Sequence, residues 1–587
     1  CLQNIKDQFK NQKISIVFGC GGERDKFKRP MMGKIADEYC DKIYLTDDNP
    51  RNENPKTIRQ NIKKKINRKK LFDISNREKA IAEAIEDLLC GEVLVVAGKG
   101  HEKTQDYGNY KKKFSDKKCI IKYINKKNKF LKNDLKLNIL NEVSNNKDIY
   151  LKEKIRKASI NSKNIKKNNV FFAIKGKNND GNKFISKAIK KGASYIVSSK
   201  KNYKNKKKLI KVDNSITFLN QFANFKRENC NARILAITGS AGKTSLKNML
   251  YVLLQNFGET YASPKSFNNH FGVPVSLSNL NANHKFGVFE AGMSKAGEIN
   301  TLSKMIKPNL AIITNIAEAH IENFKSTKGI AKAKGEIINN IKNNGTIILN
   351  RDDKFFNYFN KKAKLKKIRV ITFGKSKKSD VYLFKRKKYG EISQISIRVK
   401  DIAMKLKIKN VNIYNVLASL AVLKEFNLNL EKTIQLFKNF EPSEGRGKIH
   451  KIKRYKKNFR LIDESYNANP FSVKNAINSF SAIKKNKFKK YLLLGDMLEL
   501  GKKSEIYHSK LSGLINSSDI DKVFVKGEKS LFTYKNLKKE KRGNIFQCNE
   551  DVDSMLKNII ANQDYLMIKG SNATGLNIIS NAMIKGT

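Results

Sequence analysis

The sequence predicts an α/β protein built from several domains. Its 587 residues are enough for about three to five domains of ordinary size. Short β-branched runs alternate with amphipathic helical stretches, as at residues 14–18 and 31–39 near the start of the chain. Strands of four to six apolar residues separated by such helices are typical of parallel sheets with crossover helices.

Four such units follow one another along the chain. The predicted boundaries are 1–121 for the first unit, 122–149 for a Lys- and Asn-rich linker, 150–231 for a smaller second unit, 232–436 for the third and 437–587 for the fourth. The strands that define them are expected at 14–18, 42–45, 92–97, 169–174, 194–198, 234–238, 287–290, 310–314, 346–349, 459–463, 491–494 and 565–568. Four α/β units in one chain favour an enzyme.

The charge is strongly positive, since 120 Lys and Arg against 53 Asp and Glu give +67. Such an excess of positive charge makes nucleic acid or an anionic membrane a candidate partner. The lysine runs are scattered along the whole chain beside Asn and Ile, and no aromatic residues are interleaved with a basic stripe. We therefore interpret the excess as biased residue usage on solvated faces and expect no nucleic acid partner. A basic nucleic-acid-binding protein remains the alternative from a different functional class.

The cysteines and apolar runs bear on the compartment. Seven cysteines lie far apart without a CxxC pair, so neither a disulfide framework nor a zinc site is indicated. No apolar run approaches the 18 or so residues of a membrane span, and the N-terminus lacks a signal-peptide pattern. These observations predict a reduced cytoplasmic protein with no membrane span.

A glycine turn between a predicted strand and a predicted helix gives the sharpest local signal. The loop consists of Gly239, Ser240, Ala241, Gly242, Lys243, Thr244 and Ser245. In such a turn, backbone N–H groups and the helix N-terminus face a phosphate, the lysine reaches the terminal phosphates, and the hydroxyl that follows can ligate Mg²⁺. Gly239 stands only three residues before Gly242, so this is a shortened loop. The pattern predicts an ATP site.

Polar residues at neighbouring strand ends add to this site. Glu290 follows an apolar run, and His320 follows the strand predicted at 310–314. The C-terminal edge of a parallel sheet is the usual place for ligand chemistry. Taken alone, His320 also fits a hydrogen-bonded structural histidine, and Lys334 fits a solvated lysine on an amphipathic helix.

These motifs, together with Asn268 and Asn269 in SFNNHFGVP and the stretches DESYNANP and LGDMLELG, occur in the order found in Mur ligases. The chain resembles that family over residues 150–580. The resemblance is strongest to members that join D-alanyl-D-alanine to UDP-MurNAc-tripeptide. It implies a multidomain architecture in which a central P-loop sheet is flanked by a small α/β domain and a Rossmann-like C-terminal domain, with an extra Rossmann-like domain in front.

The resemblance also implies roles for individual residues. ATP would phosphorylate the tripeptide carboxylate, and the dipeptide amine would attack the acyl phosphate. Thr244, Glu290 and His320 match Mg²⁺ positions, and Lys334 matches a lysine that is carbamylated. Lys243, His320 and Lys334 are therefore the expected catalytic residues. The matching positions for ATP are Asn412, Asn415, Arg446 and Asp463, and those for the substrates are Asn268, Asn269, Tyr466, Asn467 and Asn469.

The front unit resembles the C-terminal domain of the Mur ligases that add the third peptide residue. The motifs are FGCGGERDKFKRP, TDDNPR and AGKGHE. Arg24, Asn49, Arg51, Gly98 and Glu102 match positions that contact meso-diaminopimelate in that branch. Two arginines and a carboxylate suit an amino acid that carries carboxylates and amines. A purely structural role as turn residues is the alternative.

This front unit has no ATP-binding half before it, and the chain begins with Cys rather than Met. We expect the C-terminal portion of a fusion between the two ligases, with the dipeptide-adding activity and no autonomous addition of the third residue. A folylpolyglutamate-synthase-like ligase is the alternative among enzymes because it shares the P-loop chemistry. The small unit ahead of the loop and the SYNANP stretch argue against it.

Overall fold

The computed structural model describes residues 2–9, 12–67, 70–88, 92–131, 157–176, 179–200, 208–389 and 392–586. Its strands form four sheets and one two-stranded ribbon. The chain divides into two compact units: Cys1–Ala232 with Leu277–Lys285, and Arg233–Ser276 with Phe286–Thr587.

The first sheet of the front unit has four parallel strands. Their order is Leu71–Asp73, Lys42–Leu45, Ile14–Phe18 and Val93–Val96. The helices are Leu2–Gln8, Lys28–Tyr39, Pro55–Lys63, Arg77–Asp87 and Asp116–Leu131. Strands Thr104–Asp106 and Lys111–Lys113 form the antiparallel ribbon. The helix Asp116–Leu131 runs into the segment predicted as a linker, and residues 132–149 of that segment lie outside the described residues.

The second sheet of the first compact unit is smaller and also parallel. Its strands are ordered Leu209–Lys211, Ala193–Ser198, Asn169–Phe172 and Lys157–Ser159. Helices Ile185–Lys190 and Ser215–Glu228 accompany it. The segment Leu277–Lys285 belongs to the same unit, because the Asn279 amide donates to Ala158 O (3.1 Å) and accepts from Ala158 N (3.0 Å).

The third sheet has nine strands and carries the glycine loop. Their order is Thr260–Ala262, Phe286–Glu290, Arg233–Thr238, Leu310–Ile313, Thr346–Asn350, Arg369–Gly374, Val381–Tyr389, Ile392–Val399 and Ile402–Lys409. The pairings are parallel as far as Val381–Tyr389, and the last two are antiparallel. The helices are Lys243–Gln255, Gly272–Ser278, Glu298–Ile306, Thr327–Lys334, Phe356–Leu365, Ile413–Glu425 and Ile434–Asn439.

The fourth sheet has six strands with one antiparallel edge. Their order is Lys448–Arg454, Lys457–Glu464, Tyr565–Lys569, Lys490–Gly495, Lys522–Lys526 and Arg542–Phe546. The helices are Pro470–Ser481, Ser504–Asn516, Ser530–Lys535, Asn549–Ile559 and Leu576–Lys585. All the strands predicted from the sequence are present within two residues of their expected bounds. None of the helices in the described part of the chain combines the length and apolar character needed to cross a membrane.

Candidate active site

The glycine loop connects a buried strand directly to a helix, as predicted. Strand Arg233–Thr238 ends at Gly239, whose φ is 145°, and the helix Lys243–Gln255 begins after Gly242, whose φ is 83°. A Cβ atom at Gly239 would lie 1.9 Å from the hydroxyl oxygen of Thr314, so only glycine fits there. The ammonium of Lys243 folds back over the loop and donates to Gly239 O at 2.7 Å.

A cavity of about 1320 Å³ opens above this loop. It lies between the third and fourth sheets, both of which belong to the second compact unit. Most of the residues predicted to bind ATP or substrate line its wall, namely Ser240, Ala241, Gly242, Lys243, Thr244, Ser245, Asn268, Asn269, His320, Asn412, Asn415, Arg446, Tyr466, Asn467 and Asn469. The structure therefore gathers these residues around one cleft large enough for a nucleotide and a second ligand.

Glu290 lies at the base of the loop and is completely buried. Its Oε2 accepts hydrogen bonds from the Thr244 hydroxyl (3.1 Å) and the Asn268 amide (3.4 Å). Its Oε1 accepts no hydrogen bond of regular geometry from the described residues, and the ammonium of Lys247 lies 3.0 Å from it as an ion pair. Oε2, which lies beside the Thr244 hydroxyl, is the oxygen that fits Mg²⁺, which prefers oxygen ligands.

Lys334 ends the helix Thr327–Lys334 and is only 1% exposed. Burial and the neighbouring Lys243 ammonium lower the pKa of Lys334 well below its usual value. The interpretation of Lys334 as a solvated lysine on an amphipathic helix is therefore wrong. An unmodified ammonium does not suit a cation site, whereas a neutral amine can react with carbon dioxide and become anionic.

His320 adopts a left-handed backbone conformation with φ of 59°. Its Nδ1 lies 2.5 Å from Oε2 of Glu499, and this contact lowers the pKa of the Glu499 carboxyl. The Glu322 N–H donates to the Glu499 carbonyl oxygen at 3.2 Å in the same region. His320 thus lines the cavity while one of its ring nitrogens faces the fourth-sheet part of the unit.

Arg446 and Tyr466 bring the fourth-sheet part of the unit to the cavity. The Arg446 guanidinium lies 4.3 Å from the centre of the Tyr466 ring, and both side chains donate to the Ser266 hydroxyl, at 3.2 and 3.0 Å. Asp463 does not line the cavity. Its carboxylate accepts from Gly445 N and from the Ser465 hydroxyl, both at 2.6 Å, and so fixes the turn that carries Arg446.

Several of the predicted ligand asparagines hold the backbone. Asn269 accepts from Gly272 N (2.9 Å), and Asn412 and Asn469 cap the helices Ile413–Glu425 and Pro470–Ser481. Asn469 also donates to Ser240 O in the loop at 3.4 Å. Asn467 accepts from Ala468 N at 2.9 Å. The Asn415 amide lies beside Gly242, and its buried Nδ2 has no hydrogen-bond partner among the described residues.

Three side chains at the cavity wall are missing from the predicted site. The Tyr414 hydroxyl donates to Asp352 Oδ2 at 3.2 Å, and the Lys375 ammonium lies 5.7 Å from the centre of the Tyr414 ring. Lys247, the partner of Glu290, is also absent from the prediction. Asp352 lies two residues after strand Thr346–Asn350. A polar residue near a strand end is the signal that pointed to Glu290, so the sequence could have indicated it.

In the front unit, the predicted contact residues surround a lysine. The buried Lys99 ammonium donates to Asn49 Oδ1 (2.7 Å) and Glu102 Oε2 (3.0 Å), and the Asn49 amide donates to Glu102 Oε2 (2.8 Å). The hydrogen bonds from Asn49 and Lys99 lower the pKa of Glu102. A Cβ atom at Gly98 would lie 2.7 Å from the Asp48 carboxylate.

The two arginines of this set differ. The Arg51 guanidinium donates to Gly22 O at 2.8 Å, whereas Arg24 is exposed. The structure therefore brings Asn49 and Glu102 into direct contact, holds Arg51 on the backbone of the motif around Gly22, and leaves the Arg24 side chain in solvent.

Models of known protein families match most of the chain. Residues 237–423 match the Mur ligase middle domain, and residues 154–227 match the Mur ligase family catalytic domain. Residues 1–100 and 446–572 both match the Mur ligase glutamate ligase domain. The front sheet and the last sheet are therefore similar to the same kind of domain.

A UDP-N-acetylmuramoyl-tripeptide–D-alanyl-D-alanine ligase from Rickettsia prowazekii is 33% identical over 424 residues, which cover 71% of this chain and 93% of the relative. The crystal structure of MurF ligase from Thermotoga maritima in complex with ADP is 26% identical, with a TM-score of 0.63 and coverage of 73% and 97%. MurF from Acinetobacter baumannii shares the fold with a TM-score of 0.67 at 23% identity, with coverage of 76% and 98%.

Proposed function

The chain belongs to the Mur ligase family, and from this premise we propose that it uses ATP to join D-alanyl-D-alanine to UDP-MurNAc-tripeptide. The observation that carries the proposal is a cleft lined by the glycine loop and by the Arg446–Tyr466 pair, with the buried Glu290 carboxylate hydrogen-bonded to Thr244 of that loop. The 33% sequence identity to the Rickettsia prowazekii ligase, which extends over 93% of that protein, supports the choice of substrates.

The reaction has two steps, and each needs positioning more than a protein nucleophile. A carboxylate oxygen of the tripeptide attacks the γ-phosphorus of ATP, and the bond from that phosphorus to ADP breaks. The dipeptide amine then attacks the acyl carbon, the carbon–nitrogen bond forms, and phosphate leaves while the amine loses a proton. Lys243 and the loop N–H groups hold the phosphates. Arg446, stacked on Tyr466, supplies a further positive charge from the other wall of the cleft.

Thr244 and Glu290 would hold Mg²⁺, which neutralises charge on the nucleotide phosphates when bound. The contact between their oxygen atoms supports this assignment. His320 and Lys334 complete the proposed set. The lowered pKa of Lys334 favours the neutral amine, which can add to carbon dioxide, forming an N–C bond and releasing one proton. The carbamate so formed is an oxygen donor of suitable charge.

For residues 1–121 we propose a retained site for an amino acid with both carboxylate and amine groups, with meso-diaminopimelate as the candidate. The hydrogen-bonded set of Asn49, Lys99 and Glu102 supports it, as do Arg51, which follows Asn49 by two residues, and the exposed Arg24.

The ligase assignment is tested by phosphate release from ATP. Release should require both UDP-MurNAc-tripeptide and D-alanyl-D-alanine, and the product should gain the mass of the dipeptide less one water. L-alanyl-L-alanine is the matched control for the second substrate. Equal release when the dipeptide is omitted would show that the proposed reaction is wrong. Lys243→Ala should abolish release because the phosphates lose their direct positive partner.

A further inference from the structure

Lys247 lies one helical turn after Lys243, and 1% of its side chain is exposed. Burying an ammonium is costly unless acceptors surround it. Here it donates to the carbonyl oxygens of Ser263 (2.6 Å) and Lys265, and it lies 3.0 Å from Oε1 of Glu290. An ammonium has three N–H donors. Two carbonyl oxygens accept hydrogen bonds from it, and the Glu290 carboxylate balances its charge. Lys247 is therefore committed to protein groups, unlike the loop lysine Lys243.

The ion pair fixes the orientation of the Glu290 carboxylate. With Oε1 held by Lys247, Oε2 is turned to the Thr244 hydroxyl and the Asn268 amide. The carboxylate is completely buried, so no solvent competes for either oxygen. Removing the ammonium would leave a buried anion free to rotate, and Oε2 would no longer be held toward Thr244.

The two carbonyl contacts hold the segment that leads to Ser266. Lys265 adopts a left-handed backbone conformation, with φ of 48°, which costs energy for a residue with a Cβ and persists only when neighbours enforce it. Ser266, the next residue, accepts hydrogen bonds from Arg446 and Tyr466 on the opposite wall of the cleft. One ammonium thus anchors both the carboxylate and the contact point between the walls.

We propose that Lys247 is a positioning residue that sets the Glu290 carboxylate for the nucleotide-bound cation and holds the 263–266 segment in contact with the opposite wall of the cleft. The proposal rests on the proposed function for the reaction that the site performs. The binding test below does not depend on that reaction. It predicts that the lysine acts through Glu290 and touches neither nucleotide nor peptide.

The test is binding of a non-hydrolysable ATP analogue at increasing MgCl₂ concentrations to Lys247→Met, which keeps the length of the side chain and removes its donors. The half-saturating Mg²⁺ concentration should rise about tenfold, the effect typical of losing a residue that orients a metal ligand. Affinity for the analogue without Mg²⁺ should change less than twofold. In the ligase assay, kcat should fall while KM for ATP at saturating Mg²⁺ stays nearly constant.

Lys490→Met is the matched control. Lys490 is buried and also donates to two carbonyl oxygens, of Ser481 and Ile483, and to one carboxylate, that of Asp519 at 2.6 Å. It should lower thermal stability without moving the Mg²⁺ dependence. An unchanged Mg²⁺ dependence in Lys247→Met, or an equal shift in Lys490→Met, would overturn the proposal.

A double variant separates a role through Glu290 from a general loss of order. In a Glu290→Gln background, Lys247→Met should add less than twofold to the half-saturating Mg²⁺ concentration, since its partner is already gone. Independent, multiplicative effects would contradict the proposal. If the wild-type protein binds the analogue with Mg²⁺ but shows no dipeptide-dependent phosphate release, the proposed function fails while this test still stands.

Discussion

Replacing Lys334 with Ala should nearly abolish ligase activity while leaving nucleotide binding in place. The side chain is 1% exposed, and burial together with the Lys243 ammonium lowers the pKa of its amine well below the usual value. Removing three buried methylenes costs about 2 kcal/mol of stability, so the variant should fold. Losing one charge partner fixed beside the phosphates should raise the barrier by about 3 kcal/mol, or roughly a hundredfold in rate.

The assay is phosphate release in buffers that contain formate or acetate. A short carboxylate can enter the space left by the side chain and replace the carbamate oxygens, so activity should return at least tenfold with increasing carboxylate. The wild-type protein should in turn lose activity in bicarbonate-free buffer and regain it with added bicarbonate. Lys332→Ala removes an exposed lysine two residues earlier on the same helix and should behave as wild type. An inactive Lys334→Ala variant that no carboxylate rescues, with bicarbonate having no effect on wild type, would refute the carbamate.

The same pKa shift predicts a pH dependence of stability. The folded chain releases the Lys334 proton at lower pH than the unfolded chain, whose lysine has its usual pKa of 10.5. Between those two values the unfolded state binds more protons, so stability should rise with pH across that window. Lys334→Ala should flatten this rise in bicarbonate-free buffer, as measured by denaturant midpoints.

Three further predictions concern single side chains. Gly239→Ala should destabilise the loop by more than about 1 kcal/mol and abolish nucleotide binding, because its Cβ would lie 1.9 Å from a hydroxyl oxygen; Gly513→Ala, which meets no atom within 4 Å, is the control for thermal melting. Arg446→Met should raise KM for ATP about tenfold through loss of the cation–π contact with Tyr466; Tyr466→Phe, which keeps the ring, should raise it less. Burial lowers the pKa of His284 to about 4. As the pH falls, the unfolded chain therefore takes up the proton first, and the free energy of unfolding should fall from about pH 6.5 toward pH 4. His284→Gln should remove this part of the loss when denaturation is measured at several pH values.

The sequence was sufficient for twelve strands of the four sheets and for the loop because both depend on local patterns. Other parallel strands, including Leu71–Asp73, Arg369–Gly374 and Lys522–Lys526, were not predicted. Strand bounds follow from short apolar runs, and the glycine turn follows from Gly239 and Gly242. The hairpin strands at 381–409 were not predicted, although Met404, Leu406 and Ile408 are buried and alternate with exposed lysines, which is the two-residue period of a strand.

The site was harder to predict because its chemistry depends on burial and on contacts between distant segments. The sequence does not distinguish a buried lysine from a solvated one. Only the fold shows that Lys334 is buried and that Lys243 lowers its pKa. The motif match could not separate ligands from supports either. Asp463 and Asn269 were expected to touch ATP or substrate, but in the structure their side chains accept backbone N–H groups and shape the cleft.

The basic residues differ in how deeply they are buried, and the buried ones are those that bear on the site. Most of the 120 basic residues need no partner because they lie on solvated faces. A small set is buried, including Lys99, Lys247, Lys334, Lys490 and Lys569. Four of these five meet a carboxylate within 3.0 Å, whereas Lys334 faces another lysine. A buried amine beside a like charge is unfavourable as an ammonium and is favoured as a neutral or anionic group. Lys334 is thus the one of the five whose surroundings favour chemical modification, and Lys243, the lysine that lowers its pKa, lines the cleft.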